Sequence, residues 1–170
     1  MYRVYIAIVS NRDHKALFTG ALYALTQHIT HQGPKYGIER HAVSIGSGHS
    51  CLSMGRQEAL ATAKKHNFTH VLFIDDDMVF APNLLQSLIS RKKQVVGANA
   101  MTKDKFKSTF VVRGMDGERL SSKNKTGIEE VTRHGMGIML VELSILDKVP
   151  VPHFEVIWKD GSYVSEDNYF

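Results

Sequence analysis

Between residues 4 and 98 the chain alternates short apolar runs with stretches of helical periodicity, and this alternation constrains the fold more than any other feature. Val4 to Val9 is apolar, rich in β-branched residues, and ends in the turn-forming cluster Ser10-Asn11-Arg12-Asp13, which predicts a buried first strand and a loop. From His14 to Ile29, Leu17, Ala21, Leu22, Leu25 and Ile29 recur at helical spacing until "HQGPKYG" breaks the pattern. Ile38 to Ile45 mixes charged and apolar residues as a second strand. A loop rich in glycine and serine, "GSGHSCLSMG", follows. Ser53 is placed to cap a helix beginning near Met54, with Ala59, Leu60 and Ala63 on its inner face.

Val71 to Ile74 is apolar without alternation, as expected of a strand covered on both faces of a parallel sheet. Pro82 opens another helix, with Leu84, Leu85, Leu88 and Ile89 inward, and Val95 to Ala98 forms the next strand. Strands alternating with helices predict the α/β class: a single-domain α/β/α sandwich with a mostly parallel central sheet. After residue 100 the pattern changes. Thr109 to Val112 and Ile128 to Thr132 read as short strands joined by a mobile polar loop, "RGMDGERLSSKNKTG". Ile138 to Val141 is apolar, and Leu143 to Leu146 suggests a short helix before Pro150 and Pro152.

The formal charge of +4 on 170 residues suits an anionic ligand such as a nucleotide. It is too weak, and too scattered, for duplex nucleic acid. Arg91-Lys92-Lys93 reads as solvated surface, and Lys103 to Lys107 stays open because it follows a strand. Cys51 is the only cysteine, so no internal disulfide forms, and it reads as a small core residue. No signal peptide and no apolar run of membrane-spanning length occurs in the sequence, from which a cytoplasmic protein is expected.

The stretch "VLFIDDDMVF" puts Asp75, Asp76 and Asp77 directly after the most apolar strand. In open α/β sheets ligands bind outside the carboxyl ends of the strands. Alternation along an extended chain would turn Asp75 and Asp77 the same way and Asp76 the other. Two carboxylates on one side repel unless a cation joins them. Mg²⁺ or Mn²⁺ suits such a pair and leaves positions for phosphate oxygens. A solvated acidic turn, or caps for the following helix, would use the same residues.

"HVLFIDDDMVFAPNLLQSLI" followed by "VVGANAMTKD" resembles the centre of a GT-A-type, nucleotide-sugar-dependent glycosyltransferase, where a strand ends in an Asp-x-Asp motif. "VSNRD" resembles the family's loop after the first strand, and "SMGRQEALATA" its helix with an early arginine. "HGMGIMLVELSIL" and "PHFEVIW" with "SEDNYF" resemble its glycine-bearing strand and late Glu-Asp motif. The resemblance spans nearly the whole chain in order. It implies a Rossmann-like GT-A domain over residues 1–170, with a nucleotide-binding half (1–100) and an acceptor-side half (101–170). The family usually continues with a helix, a strand and a histidine that completes the metal site, so this chain, ending at Phe170, is expected to be short at its C-terminal part.

By that resemblance, Asp77 binds the metal most directly, and Asp75 contacts the ribose or shares the metal. Asp76 is the variable middle residue at the nucleotide, with solvent or a backbone contact as its plainer role. Ser10, Asn11 and Arg12 lie at the nucleotide, where a capping turn explains the first two equally well. Arg56, placed in the first turn of its helix, faces the diphosphate; a surface pair with Glu39 is the competing account. Gly135 and Gly137, beside His134, admit the donor sugar close to the backbone, or mark a bulge. Asp167 acts as general base on the acceptor hydroxyl, and Glu166 holds the acceptor or sugar; an exposed acidic tail is the alternative. Trp158 is either an acceptor-stacking wall or, more simply, a half-buried core residue.

The activity implied is transfer of a sugar from a UDP- or GDP-sugar to a carbohydrate or other hydroxyl acceptor, by inversion, with Mn²⁺ or Mg²⁺. Two other readings remain: a nucleotide or nucleotide-sugar binding module without turnover, and a metal-dependent phosphoryl-transfer enzyme or nuclease.

Overall fold

The computed structural model describes residues 1–10, 14–46, 51–101, 110–123 and 125–164. In chain order the elements are β1 (Tyr2–Val9), α1 (Ala16–Gln32), β2 (Ile38–Gly46), α2 (Leu52–Lys65), β3 (His70–Ile74), α3 (Leu84–Ile89), β4 (Val95–Gly97), β5 (Arg113–Gly114), β6 (Val131–Arg133), β7 (Ile138–Glu142), β8 (Ile157–Lys159) and β9 (Ser162–Val164). Short 3-10 turns cover Gly33–Tyr36 and Leu143–Lys148.

The main sheet has five strands in the order β2-β1-β3-β7-β4. β1 runs parallel to β2 and to β3, while β7 is antiparallel to both β3 and β4. The sheet is therefore mixed: β2, β1, β3 and β4 share a direction, and β7 runs against them between β3 and β4. All five residues of β3 are buried, as its unbroken apolar run predicts. Burying each such side chain stabilises the fold by about 1.5–3 kcal/mol, which makes β3 the axis of the core.

Alternate side chains divide between the two faces. Val4, Ile6 and Ile8 of β1 and Leu72 and Ile74 of β3 pack with Phe18, Leu22, Leu25 and Ile29 of α1 and Leu85, Leu88 and Ile89 of α3. Tyr5, Ala7, Val71 and Phe73 pack on the other face with Ala59, Leu60 and Ala63 of α2, and with Met139, Leu146 and Phe154. Gly55, Ala59 and Ala63 are buried four residues apart. These small side chains let α2 lie close on the sheet.

Several local expectations need correction. Ser53 is not the cap of α2. Cys51 holds the N-cap position with extended dihedrals, and the backbone N–H of Gly55 bonds back to its carbonyl at 3.4 Å, so Ser53 is already helical. Its Oγ lies 2.8 Å from Cys51 Sγ, and Cys51 is half-buried at a helix start rather than in the core. The helix expected to open at Pro82 begins at Leu84, with Leu85, Leu88 and Ile89 buried and Leu84 packed against the core as expected. The strands expected near 109–112 and 128–132 lie later, at β5 and β6. The N–H of Leu120 bonds to the Val112 carbonyl and that of Gly114 to Glu118, so a local turn around Gly117 (φ 80°) takes up the chain first. Thr109 and Lys103 to Lys107 lie outside the described residues.

Candidate functional site

β3 ends at Ile74, and the chain turns at once: the N–H of Met78 bonds to the Asp75 carbonyl at 3.2 Å. Asp75 and Asp76 turn to opposite faces, as the alternation predicts, and Asp76 and Asp77 are the two central residues of the turn. Asp75 continues the Phe73 side of the sheet and meets α2. Its Oδ1 lies 3.1 Å from Arg56 Nη2. The Arg56 side chain is only 3% exposed and that of Asp75 is 35% exposed, so the guanidinium is deep while the carboxylate reaches the edge of the sheet. A buried charge must be paired, and here the pair is Asp75. Arg56 belongs to the second turn of α2, not the first, and does not pair with Glu39, whose carboxylate lies 3.9 Å from Arg3.

Asp76 turns to the opposite face. It is buried, and the Ser10 hydroxyl donates to its Oδ2. Its burial departs from the solvent-facing alternative expected of it. Ser10 is itself buried at the end of β1, and its N–H bonds to the Gly46 carbonyl at 3.0 Å. The pair ties the carboxyl ends of β1 and β3 together. Asp77 is half-buried.

Gly137 stands opposite Asp75. The Asp75 N–H bonds to the Gly137 carbonyl at 2.9 Å, and a Cβ on Gly137 would lie 2.6 Å from Met78 Cε and 3.7 Å from Asp75 Oδ2. A side chain here would press Met78 into the turn that carries Asp77. His134 packs on the backbone of Gly97, where any Cβ would meet its ring at 2.5 Å and the Ile138 carbonyl at 2.8 Å. Gly135 lies between His134 and Gly137, and its carbonyl contacts His134 Nδ1. The structure thus brings Ser10, Arg56, Asp75, Asp76, Asp77 and Gly137 to one edge of the sheet, with Gly135 close by. Asn11, Arg12, Glu166 and Asp167 lie outside the described residues.

A small cleft of about 80 Å³ opens at this edge between Val9, Gly46 and Gly55. The two larger clefts, about 1300 and 360 Å³, flank β4 and meet at His134 and Met139; none of the three aspartates lines them. Among the described residues no three His, Cys, Asp or Glu side chains gather as they would around a metal ion. Asp75 and Asp77 supply two carboxylates. That donor set fits Mg²⁺ or Mn²⁺ when a ligand's phosphates complete the shell.

One residue differs from its plainer expectation in a way the sequence could have signalled. Trp158 is not a core residue: it is 64% exposed on β8, directly across from Tyr163 of β9. The "Asp160-Gly161" pair, both at positive φ (52° and 78°), forms the turn of this hairpin. Asp-Gly between apolar residues is a strong hairpin signal, and the sequence reading passed over it, missing Tyr163 as well. Of the histidines, His28 is held by Gln86 at 3.0 Å.

No family model matches the chain, and no curated protein matches it. Among the matching chains of solved structures, "Crystal Structure of A197 from STIV" has a TM-score of 0.60 and 19% identity, covering 99% of this chain and 75% of that one. The likeness is one of fold and shows an α/β domain of this kind. No helix among the described residues is long and apolar enough to cross a membrane.

Proposed function

We propose that this chain is a GT-A-type glycosyltransferase that moves a sugar from a UDP- or GDP-sugar to a hydroxyl acceptor with a divalent cation. The observation that carries this reading is the placing of Asp75 and Asp77 at the carboxyl end of β3, with Arg56 on Asp75 and Gly137 against it. That is the edge at which open α/β sheets take their ligands. Helices on both faces of the sheet support the Rossmann-like sandwich, with the strand ends of the first hundred residues as the nucleotide side. Cytoplasmic location belongs to the same proposal.

Asp75 and Asp77 would hold Mn²⁺ or Mg²⁺, which screens the charge that builds on a departing diphosphate. Arg56 fixes the carboxylate of Asp75 in one orientation and adds positive charge beneath the diphosphate. Gly137 lets the end of Met78 pack beside Asp75 Oδ2, a space that a side chain would contest. Asp167 takes the proton of the acceptor hydroxyl as its oxygen bonds to C1 of the sugar. The bond from C1 to the diphosphate oxygen breaks with its electron pair, and the nucleoside diphosphate leaves. Ser10 acts through Asp76, locking the floor of the site.

A thermal-shift screen of nucleoside diphosphates with and without Mn²⁺ tests the reading. A shift that needs both, and that Asp77→Ala removes, is expected. No binding of any nucleoside diphosphate, together with an unchanged Asp77→Ala variant, overturns it. A second reading, nucleotide binding without turnover, is favoured by one observation: Asp75 already has a cation in Arg56. Blank transfer and hydrolysis assays alongside measurable UDP or GDP affinity would select it.

A further inference from the structure

We infer that the outer edge of β4 is a docking site for an extended, acidic segment of another protein, which joins the main sheet as an added strand. The Glu142 N–H bonds to the Gln94 carbonyl at 2.7 Å and the Ala98 N–H to the Ile138 carbonyl at 3.1 Å, while Val95 and Gly97 stand opposite Val141 and Met139. In an antiparallel ladder, alternate residues turn both backbone groups to the partner. Gln94, Val96 and Ala98 therefore face β7, and the N–H and C=O of Val95 and Gly97 point away from it. Among the described residues no strand pairs with that side of β4. A row of donors and acceptors along a sheet rim is what an incoming strand recognises.

Two clefts lie along this rim, one towards each face of the sheet. Leu88 and Val96, of the α1–α3 side, line the cleft of about 360 Å³. Ile145, which packs on the α2 side, lines the cleft of about 1300 Å³. Val95 and Ile128 border both and are 40% and 49% exposed, apolar surface that an added strand would cover. Successive side chains of such a strand would enter the two clefts in turn. Charge decides which segment fits. At the start of β4, Arg91 lines the smaller cleft and Lys93 the larger; both are exposed, and neither has an ion pair among the described residues. Lys125 is already matched to Glu129 at 3.1 Å, and Glu130 and Arg133 on the larger cleft carry opposite charges. Two adjacent acidic residues, one for each face, would meet Arg91 and Lys93. Charges that guard a rim against pairing stand on the strand itself, and Val95-Val96-Gly97 carries none. None of the three aspartates takes part, so the inference stands apart from sugar transfer.

Fluorescence polarisation with the labelled peptide Glu-Glu-Val-Thr-Val and its reverse, Val-Thr-Val-Glu-Glu, covers both strand directions. One of them is expected to bind to saturation, less tightly as salt rises, and its lysine-for-glutamate version is expected not to bind. N-methylation of the peptide should cost about tenfold at one of two adjacent residues and little at the other, because only alternate residues bond to a given strand. On the protein, Val95→Pro removes an outward N–H without removing a bond to β7. That variant and the double variant Arg91→Glu/Lys93→Glu should each lose about tenfold in affinity, with circular dichroism checking the fold. Should Val95→Pro not fold, the N-methyl series decides. The inference is overturned if neither acidic peptide binds, if both adjacent N-methyl positions are tolerated, or if the double variant binds as the parent does. An oligothymidylate that binds as tightly as the acidic peptide also overturns it, in favour of a single-stranded nucleic-acid contact. The thermal shift with nucleoside diphosphate and Mn²⁺ is read separately: its failure removes the donor reading and leaves the peptide result standing.

Discussion

Nη2 of Arg56 lies 3.1 Å from Oδ1 of Asp75, joining the second turn of α2 to the end of the central strand. One partner is buried and the other half-open, so this pair links core stability to the ligand edge. Arg56→Ala is expected to destabilise the protein by about 2–3 kcal/mol, below the value for a fully buried pair because water reaches Asp75. Urea unfolding measures this. The same variant should weaken nucleoside diphosphate binding in the thermal-shift assay.

Adjacent aspartates should separate in their effects. Asp76→Asn and Ser10→Ala disturb a buried hydrogen bond to a charged group and should each cost about 1.5–3 kcal/mol in urea unfolding. Asp77→Asn should abolish the Mn²⁺-dependent thermal shift. A shift that survives Asp77→Asn would contradict this division of roles.

Two glycines should also differ. At Gly97 a methyl group would meet the His134 ring and the Ile138 carbonyl at 2.8 Å, so Gly97→Ala must move backbone in β7 and should cost about 2–3 kcal/mol. At Gly137 it would meet the flexible end of Met78, so Gly137→Ala should cost under about 1 kcal/mol yet impair ligand binding. Chemical denaturation and the nucleotide shift, measured on both variants, check this contrast.

Acid should weaken the fold through His70. Burial pushes its imidazole pKa below the usual 6.5; Glu142, its cross-strand neighbour, opposes that push, and the N-terminal amine adds to it. The folded protein therefore binds this proton less readily than the unfolded chain. The stabilisation is complete above pH 6.5 and is lost as the pH falls below 6.5 and through the folded value. His41, also lowered by burial, acts in the same direction. Urea midpoints should fall between pH 7.5 and pH 5, and His70→Asn should flatten that dependence.

The strands and helices of the first hundred residues were legible because each carries its own period. β3 shows burial on both faces, and α1 shows an apolar stripe, although Leu17, expected on it, is 75% exposed and Phe18 is buried instead. The order of strands was not legible: nothing local in Ile138–Glu142 says that it pairs with both β3 and β4. At the edge of the sheet, the spacing of the aspartates was visible, but their partners were not. Arg56 and Ser10 reach them from 19 and 66 residues away. Periodicity carries no information about contacts at such separations. Trp158 was misplaced for a different reason, since indole area suggests burial and only the neglected Asp-Gly turn shows that the ring stands on a hairpin.

Among the described residues β4 occupies the rim of the sheet and hydrogen-bonds to β7 as its one strand neighbour there. A ribosome must add about forty more residues after Gly97 before Ile138 emerges. Until then the nascent chain holds β3 with one side bare and β4 with nothing to join, the kind of open template on which polypeptides clump. Synthesis thus passes through an interval of exposure that a chaperone would shorten, and it closes only when the last third of the chain slots into the gap.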